Sequence, residues 1–510
     1  MGRLNKLLMG IIGDPWPSRW GGMKTRARIH DFDARTSRPG WLNLRPQAWV
    51  PTATATGSAN PLSAHTGWVF AAAFLVSLAL PIELSIHLGS LRLAPPRVVG
   101  LLAFIPAMFT WIRWGPSRWL AADFMILGAA GWSLISLLEN DTVQKAIEFG
   151  GANILEIWCA YLIARTTITD AASFERFLRI GGIVLVCTAI VMLPEFLTGV
   201  HWTHEVATQV FGRPFDSSFA IVDERQGFMR SFGPFDHPIL AGVFGSAFLL
   251  LLWPRGDTGH RSRIPGLLGA IGTTIMSISS AAILSACLQV ALALYRRALR
   301  QVRSRWLVLA GAVLVLLTCA SFMAEGAIIP ALVRRFTLDP QTSYYRMMVW
   351  ELGLKEVEHA PWLGAGVNHW YQPALDDVSV DAFWLLNAMR HGLLFAFLIA
   401  LATVTLMIRA GKNSAGDSAS SRTAWAWLVC MLSFVLCGFT VHYWNTALAL
   451  FFFMLGAGAW IGTPAVLAAA NGPPAQGTWL KPAAAPFHST MPHSGFMRRP
   501  GDRAPTGRSA

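Results

Sequence analysis

The sequence predicts an all-α, polytopic membrane protein with about 12 transmembrane helices and a large external loop that carries amphipathic helices. Charged residues make up only 14% of the chain, whereas soluble domains contain about 25%. Apolar segments of nearly spanning length recur between two polar tails. The chain also has 22 tryptophans but only 6 tyrosines, and indole rings favour the two interfaces of a bilayer.

The transmembrane domain is expected over residues 66–463. A span needs about 20 predominantly apolar residues, and sometimes about 17. Twelve segments approach this length: 66–83, 97–112, 119–138, 148–165, 180–198, 237–253, 264–279, 281–295, 306–324, 391–409, 424–440 and 444–463. The segments 264–279 and 281–295 are either two spans or one bent helix, and the serines at 277, 279 and 280 mark the expected break.

The two tails are expected to be largely disordered and cytosolic. Residues 1–65 form a basic arm rich in Trp, Pro and Gly, and the apolar stretch 7–12 within it is too short for a secretory signal. Residues 464–510 are rich in Ala, Pro and Gly and contain several arginines. Such compositions bury too little apolar surface to fold alone.

Charge predicts the orientation, with both termini in the cytosol. With the N-terminus inside, the inside loops are strongly basic, whereas the short outside loops carry only Arg92, Arg97 and Lys145. One merged span over 264–295 would move the arginines of 296–305 outside, so two spans are favoured. Two long polar segments, 199–236 and 325–390, then lie on the external face. The net charge of +13 therefore indicates topology and attraction to anionic lipid rather than nucleic-acid binding.

Several kinds of chemistry have no sequence support. The 6 cysteines all lie in apolar runs, without metal-ligand spacing or a CxxC pair. The chain contains no GxxxxGK[ST] motif, no HExxH motif and no serine nucleophile elbow. We expect neither a metal nor a cofactor.

The first external loop ends at a predicted helix start. Arg230 precedes the sequence Asp236-His237-Pro238. Proline suits the first turn of a helix and Asp236 suits its N-cap. Free N–H groups and a partial positive charge at this end favour a bound phosphate, so His237 is a candidate substrate-binding residue. The alternative is that Asp236 only caps the helix and His237 is merely interfacial.

The second external loop contains an amphipathic helix that is too polar to cross a bilayer. The sequence Asp339-Pro340-Gln341-Thr342-Ser343 is a helix start signal, and the helix is expected to run to about Glu358. Arg346 and Trp350 are four residues apart and therefore neighbours on it. The helix is expected to lie flat on the membrane or to cover a cavity. The alternative is a surface helix with a solvated arginine.

Polar residues also occur along the next predicted helix, where it enters the bilayer. These residues are Asp381, Asn387, Arg390 and His391. Ionisable groups at such positions are costly and are therefore functional candidates. The alternative is that Arg390 and His391 extend to the interface and Asp381 caps the helix.

Three stretches resemble the bacterial superfamily of O-antigen ligases and of O-antigen and exopolysaccharide polymerases. The first is Arg230-Ser231-Phe232-Gly233-Pro234-Phe235-Asp236-His237-Pro238. The second is Tyr345-Arg346-Met347-Met348-Val349-Trp350, followed by Pro361-Trp362-Leu363-Gly364-Ala365-Gly366. The third runs from Asp381 to Gly392. They occur in the order typical of the family, and the layout of spans is similar over residues 66–463.

The resemblance implies a donor linked to undecaprenyl pyrophosphate and presented at the external face of the inner membrane. It implies that Arg230 and Arg346 bind the diphosphate and that a polar residue activates the acceptor hydroxyl. Ligases usually have a His-Asn pair where this chain has Asp381-Ala382, so the exopolysaccharide polymerase branch is the more similar one. Asp381 is then the expected proton acceptor, with His237 and His391 as alternatives.

The expected function is that of a metal-independent polysaccharide polymerase in a bacterial inner membrane. Arg230, Arg346 and Asp381 are the candidate catalytic residues, and a second group is expected to bind substrate: His237, Trp350, Asn387, Arg390 and His391. The expected partners are an undecaprenyl-pyrophosphate-linked oligosaccharide, a saccharide acceptor, membrane lipid and other polysaccharide assembly proteins. The alternatives are a ligase acting on a lipid or protein acceptor and a transporter of lipid-linked sugar.

Overall fold

A computed structural model describes most of the region between the two tails. The described residues are 61–88, 91–212, 224–225, 227–254, 260–299, 340–367, 369–375, 379–414 and 418–463, with a few single positions between 301 and 318 and at 416. The predicted tail 464–510, the arm up to residue 60, most of the predicted span 306–324, and residues 325–339 lie outside them.

The described chain is mainly helical, with two very short hairpins. The helices are α1 (Pro61–Ser77), α2 (Pro95–Trp114), α3 (Ala121–Asn140), α4 (Val143–Thr167), α5 (Ala171–Thr198), α6 (Trp202–Phe211), α7 (Pro238–Leu252), α8 (His260–Met276), α9 (Ser280–Ala298), α10 (Pro340–His359), α11 (Phe383–Asn413), α12 (Ala419–Cys437) and α13 (Thr446–Gly458). The antiparallel hairpins are β1 (Ile86–Leu88) with β2 (Leu91–Leu93) and β3 (Glu224–Arg225) with β4 (Phe228–Met229).

Seven helices in the described ranges are long and apolar enough to cross a membrane, so the chain has the architecture of a membrane protein. These are α2, α3, α4, α5, α9, α11 and α12. The predicted total of 12 spans is not confirmed. Helices occupy most of the other predicted segments, but α1, α7 and α13 are shorter apolar helices and α8 is more polar.

The shortest apolar helices form the centre of the protein. Every residue of α13 is buried, and all but one residue of α7 are. Trp427 of α12 donates from Nε1 to the Met454 carbonyl at 2.8 Å, which ties α12 to α13. Around this centre, α13 packs on the last turns of α4, α5 packs on α8, and α3 packs on α11. A short apolar helix of this kind belongs to a buried core as readily as to a span.

A break in α11 fixes the position of the polar segment that follows α10. Gly392 has φ 82° and ψ 171°, a conformation that side chains almost never adopt. The segment 361–366 docks at this break through three backbone hydrogen bonds: Ala365 N to Met389 O at 2.8 Å, Gly366 N to Arg390 O at 3.1 Å, and Leu393 N to Pro361 O at 2.7 Å. We call these contacts the α11 clamp.

The bundle has two chemically different ends. At one end, which we call the basic end, Arg165 donates to the fully buried Asp123 at 3.2 Å. Arg409, near the C-terminus of α11, and Arg263, in the first turn of α8, lie at the same end of the bundle. Tyr161 and Trp111 also donate to Asp123, so the buried carboxylate has several partners. The opposite end, which we call the site end, holds Arg346 and the residues around it.

We predict that Gly392→Ala destabilises the protein, because a Cβ at this position would overlap the Trp362 carbonyl oxygen and the positive φ disfavours any side chain. The expected loss is about 1–3 kcal/mol or more, measured as a lower thermal unfolding midpoint of the detergent-purified protein. Gly411→Ala in the same helix is the control, since nothing lies within 4 Å of its added Cβ. Equal midpoints for the two variants would contradict the clamp.

Candidate functional site

Both long polar segments contribute charge to one place at the site end. Arg346 lies on α10, and the charges of Asp381 and Arg225 act on its guanidinium. Asp381 precedes α11, and Arg225 belongs to the β3–β4 hairpin. Of the three candidate catalytic residues, Arg346 and Asp381 are therefore close enough for their charges to interact. The arginine of the first loop whose charge acts on Arg346 is Arg225.

The surroundings of Asp381 raise the affinity of its carboxylate for a proton. Burial raises the pKa of Asp381, while the hydrogen bond from Ser379 Oγ at 2.7 Å and the charge of Arg346 lower it in part. Tyr345, on the neighbouring position of α10, donates to the Ser379 carbonyl at 3.1 Å. The Ser379 backbone and hydroxyl thus link α10 to the carboxylate.

Arg346 is an only partly compensated cation. Burial lowers its pKa, the negative charge of Asp381 opposes that change, and Arg225 adds to it. Arginine stays protonated at neutral pH, so the result is an excess of positive charge in a partly dry site. Among the residues that the structure describes, its buried Nε has no hydrogen-bond partner. An anion with several oxygens is the ligand that such a site favours.

Arg230 is buried, and its guanidinium is hydrogen-bonded to the backbone of the fold. It is 5% exposed, and its Nε donates to the Ser277 carbonyl at 3.2 Å, just beyond the end of α8. A cation at a helix C-terminus is favourable. The next residues are held by Glu195 of α5, whose Oε2 accepts from the Ser231 hydroxyl and from the Phe232 and Gly233 amides at 2.7–3.1 Å. Arg230 therefore sits in a rigid, bonded segment.

The helix start after the first loop is present, but its cap differs from the prediction. Helix α7 begins at Pro238 as expected, and His237 is the cap, with Nδ1 accepting from the Ile239 amide at 3.1 Å. The assignment of the cap to Asp236 was wrong. Asp236 instead accepts from Asn445 Nδ2 at 2.8 Å. Because the His237 ring nitrogen already serves the helix, it is less available to a substrate.

Asp236 opens a polar network that the sequence did not reveal. Asn445 Oδ1 accepts from Arg97 at 3.3 Å, and Arg97 pairs with Glu156 at 2.7 Å. Burial raises the pKa of Asp236, while the Asn445 hydrogen bond and the charge of His204 lower it. Asn445 has φ 45°, which is unusual for a residue other than glycine. The network holds the end of the first loop against α2, α4 and the start of α13.

A second group of polar side chains lies around Arg390 on α11. Its charge acts on His442, and Asp141 acts on Arg390. Burial lowers the pKa of His442 to about 3, and Arg390 adds to this effect, so the imidazole is neutral at pH 7. The His442 ring stacks on Trp444, which also contacts His237. His391 is buried, with Nε2 3.3 Å from Asn153 Nδ2.

The remaining two predicted substrate-binding residues, Trp350 and Asn387, also have contacts within the protein. Trp350 donates from Nε1 to the Phe439 carbonyl at 3.1 Å and stacks on the Phe439 ring, which anchors α10 to the chain after α12. Asn387 donates to the Phe383 carbonyl of its own helix at 2.7 Å. Both contacts explain these residues without a substrate.

Sequence reasoning missed Arg225, Asn445, His442 and the pair of Arg97 with Glu156. Glu156 carried a usable signal, because it is an ionisable residue in the middle of a predicted span. Asn445 and His442 carried none that could be separated from ordinary polar loop residues. Their importance comes from contacts with residues that are distant in sequence.

No protein-family model matches the chain, and no curated protein sequence matches it. What the site can do chemically is hold an oxyanion near Arg346 and accept a proton at Asp381.

We predict that Glu195→Gln loosens the segment after Arg230. An amide oxygen carries less charge than a carboxylate, and hydrogen bonds to a charged group contribute about 1.5–3 kcal/mol. Hydrogen exchange measured by mass spectrometry should accelerate about tenfold or more at Phe232 and Gly233. The exposed carboxylate variant Glu205→Gln is the control and should leave these amides unchanged. Unaltered protection in Glu195→Gln would show that other contacts hold the segment.

Proposed function

We propose that this chain is a polysaccharide polymerase of the inner membrane of a bacterium. It joins a glycan carried on undecaprenyl pyrophosphate to a lipid-linked saccharide acceptor at the external face. The observation that carries the proposal is the convergence of Arg346, Arg225 and Asp381 from both polar loops beside the start of α11. This pairs an anion site with a base, as transfer from a diphosphate-linked sugar requires.

The reaction follows from the two kinds of group. The acceptor hydroxyl oxygen attacks the anomeric carbon of the donor, and the bond from that carbon to the diphosphate oxygen breaks. The leaving diphosphate keeps the electron pair, so negative charge grows on its oxygens. The Arg346 guanidinium, with the charge of Arg225 beside it, stabilises this charge in a partly dry site, where such contacts contribute about 2.7–4 kcal/mol per donor.

Asp381 takes the proton of the acceptor hydroxyl. A base is most effective when its pKa approaches the working pH. Burial moves the pKa of Asp381 in that direction, and Arg346 with Ser379 keeps the carboxylate form populated. The same arginine therefore holds the leaving group and tunes the base.

Arg390 and His442 form the next polar group toward the α11 clamp. Neutral His442 offers ring nitrogens for hydrogen bonds to sugar hydroxyls, and Arg390 offers a cation for an acidic group. We assign them a role in holding saccharide rather than in the transfer itself, because Asp381 already supplies the base near Arg346.

We predict that Arg346→Ala and Asp381→Asn each reduce polymer formation from synthetic lipid-linked repeat units by about 100-fold or more. The assay uses purified full-length protein in detergent and separates products by length. Lys355→Ala is the matched control, since Lys355 lies on the same helix, is exposed and pairs only with Glu351 among the contacts described. It should leave activity unchanged.

Near-normal polymer from either site variant, with the control also active, would contradict the proposed roles. Glycan transferred to a lipid or protein acceptor without chain growth would indicate a ligase. Movement of labelled lipid-linked sugar across proteoliposomes without a new glycosidic bond would indicate a transporter.

We predict a pH effect for Ser379→Ala. Its hydroxyl lowers the pKa of Asp381, so removing it raises that pKa further. Since the base must be deprotonated, the acidic limb of the kcat profile should move to higher pH, while activity on the alkaline plateau is kept. Ser379→Thr retains the hydroxyl and should restore the original limb. A uniform loss of kcat at every pH would indicate a purely structural role.

A further inference from the structure

A cavity of about 690 Å³ lies at the basic end of the bundle, far along the helices from Arg346. It is formed by the first half of α5, the first turns of α8 and the start of α12. The opposite ends of these three helices lie at the site end. Helix α8 ends next to Ser277, whose carbonyl accepts from Arg230, and α12 ends at Cys437, which is close enough to Arg346 to act on its charge. The cavity therefore belongs to neither the Arg346 group nor the Arg390 group. We call it the basic-end groove.

Glycine contacts between α5 and α8 shape this groove. A Cβ on Gly266 would lie 2.6 Å from the Cα of Gly182, and one on Gly269 would lie 2.7 Å from the backbone of Leu185. Small residues allow two helices in a membrane to approach this closely. The groove lies beside this crossing, since Gly182 and Gly266 both line it.

The wall of the groove is apolar inside and polar at its rim. Leu178, Val186 and Leu252 line the interior. Ile183 is 59% exposed and Cys187 is also exposed, although both lie within a membrane-spanning helix. Side chains that are exposed at this depth face the hydrocarbon of the bilayer, so the groove is open to the lipid phase.

The rim carries the charge that selects an occupant. Arg179 is exposed, and Arg263 is largely buried and pairs with Glu175 at 2.6 Å. The hydroxyls of Ser420 and Thr423 stand at the beginning of α12 on the other side. Two arginines against one glutamate leave a positive rim around an apolar interior. Basic pockets between transmembrane helices bind anionic headgroups in this way.

We propose that the basic-end groove binds an anionic phospholipid of the surrounding bilayer, with an acyl chain along α5 and the headgroup phosphate at Arg179, Arg263 and the α12 hydroxyls. The lipid reaches the groove by lateral diffusion, because the groove opens to the hydrocarbon. Its charge balances the rim, and its chain fills apolar space between α5, α8 and α12. This site is separate from the proposed transfer reaction.

Cys187 lines the groove and reports its occupancy. In full-length protein carrying Cys287→Ser and Cys319→Ser, the remaining described cysteines other than Cys187 are buried. The rate of maleimide labelling of Cys187 is measured in detergent with added phosphatidylglycerol or phosphatidylcholine. At about ten times its Kd, phosphatidylglycerol should slow labelling about tenfold, and phosphatidylcholine should do so much less.

Arg179→Glu should abolish the difference between the two lipids, because it reverses the charge at the rim. Arg113→Glu is the matched control, since Arg113 is another exposed arginine in the last turn of α2 and does not line the groove. It should keep the difference. Equal protection by both lipids, or protection by neither, would overturn the proposal. Protection by undecaprenyl phosphate but not by phosphatidylglycerol would also overturn it. None of these readings requires catalytic turnover.

Discussion

The α11 clamp is the constraint on which the site end depends. Three backbone hydrogen bonds hold segment 361–366 against the break at Gly392, and Gly364 and Gly366 make the approach close enough. A Cβ on Gly366 would overlap Asp141, which itself accepts from the Val367 amide at 3.0 Å. One contact region therefore fixes α10, α11 and the end of α3 relative to one another. Arg346 and Asp381 are held close together because α10, which carries Arg346, and α11, which Asp381 precedes, are tied to each other there.

Charge burial explains why the two long polar segments come together. A guanidinium that loses water needs negative charge nearby, and a carboxylate that loses water needs donors or cations. Arg346 and Asp381 meet part of each other's requirement, while Arg225 leaves the group positive. The balance left unmet is what an anionic substrate can supply. In the network from Asp236 through Asn445 and Arg97 to Glu156, by contrast, the charges are balanced by protein groups.

Much of the helical architecture was predictable because apolar runs and capping signals are local. Pro238 at the first turn of α7 and the break between α8 and α9 near Ser277 were both expected, and both are present. The number of spans was not predictable in the same way. The 13 residues of α13 are as apolar as a span, and only their complete burial shows that they form the centre of the bundle.

The candidate site was predictable only in part, for a related reason. Arg346 and Asp381 stood out because ionisable residues are few in so apolar a chain, and the structure brings them together. The contacts that decide the roles of Asp236 and Trp350 involve Asn445 and Phe439, which lie far away in sequence. No periodicity or spacing encodes such pairings, so side chains that looked available were found holding the fold together.

The most direct measurement is the affinity of the purified protein for undecaprenyl pyrophosphate itself. Binding should be tight for the diphosphate, much weaker for the uncharged polyprenol, and reduced about tenfold or more by Arg346→Ala. Equal affinity of the wild type and the variant for the diphosphate, or equal binding of the diphosphate and the polyprenol, would contradict the assignment of Arg346 as the anion-binding residue.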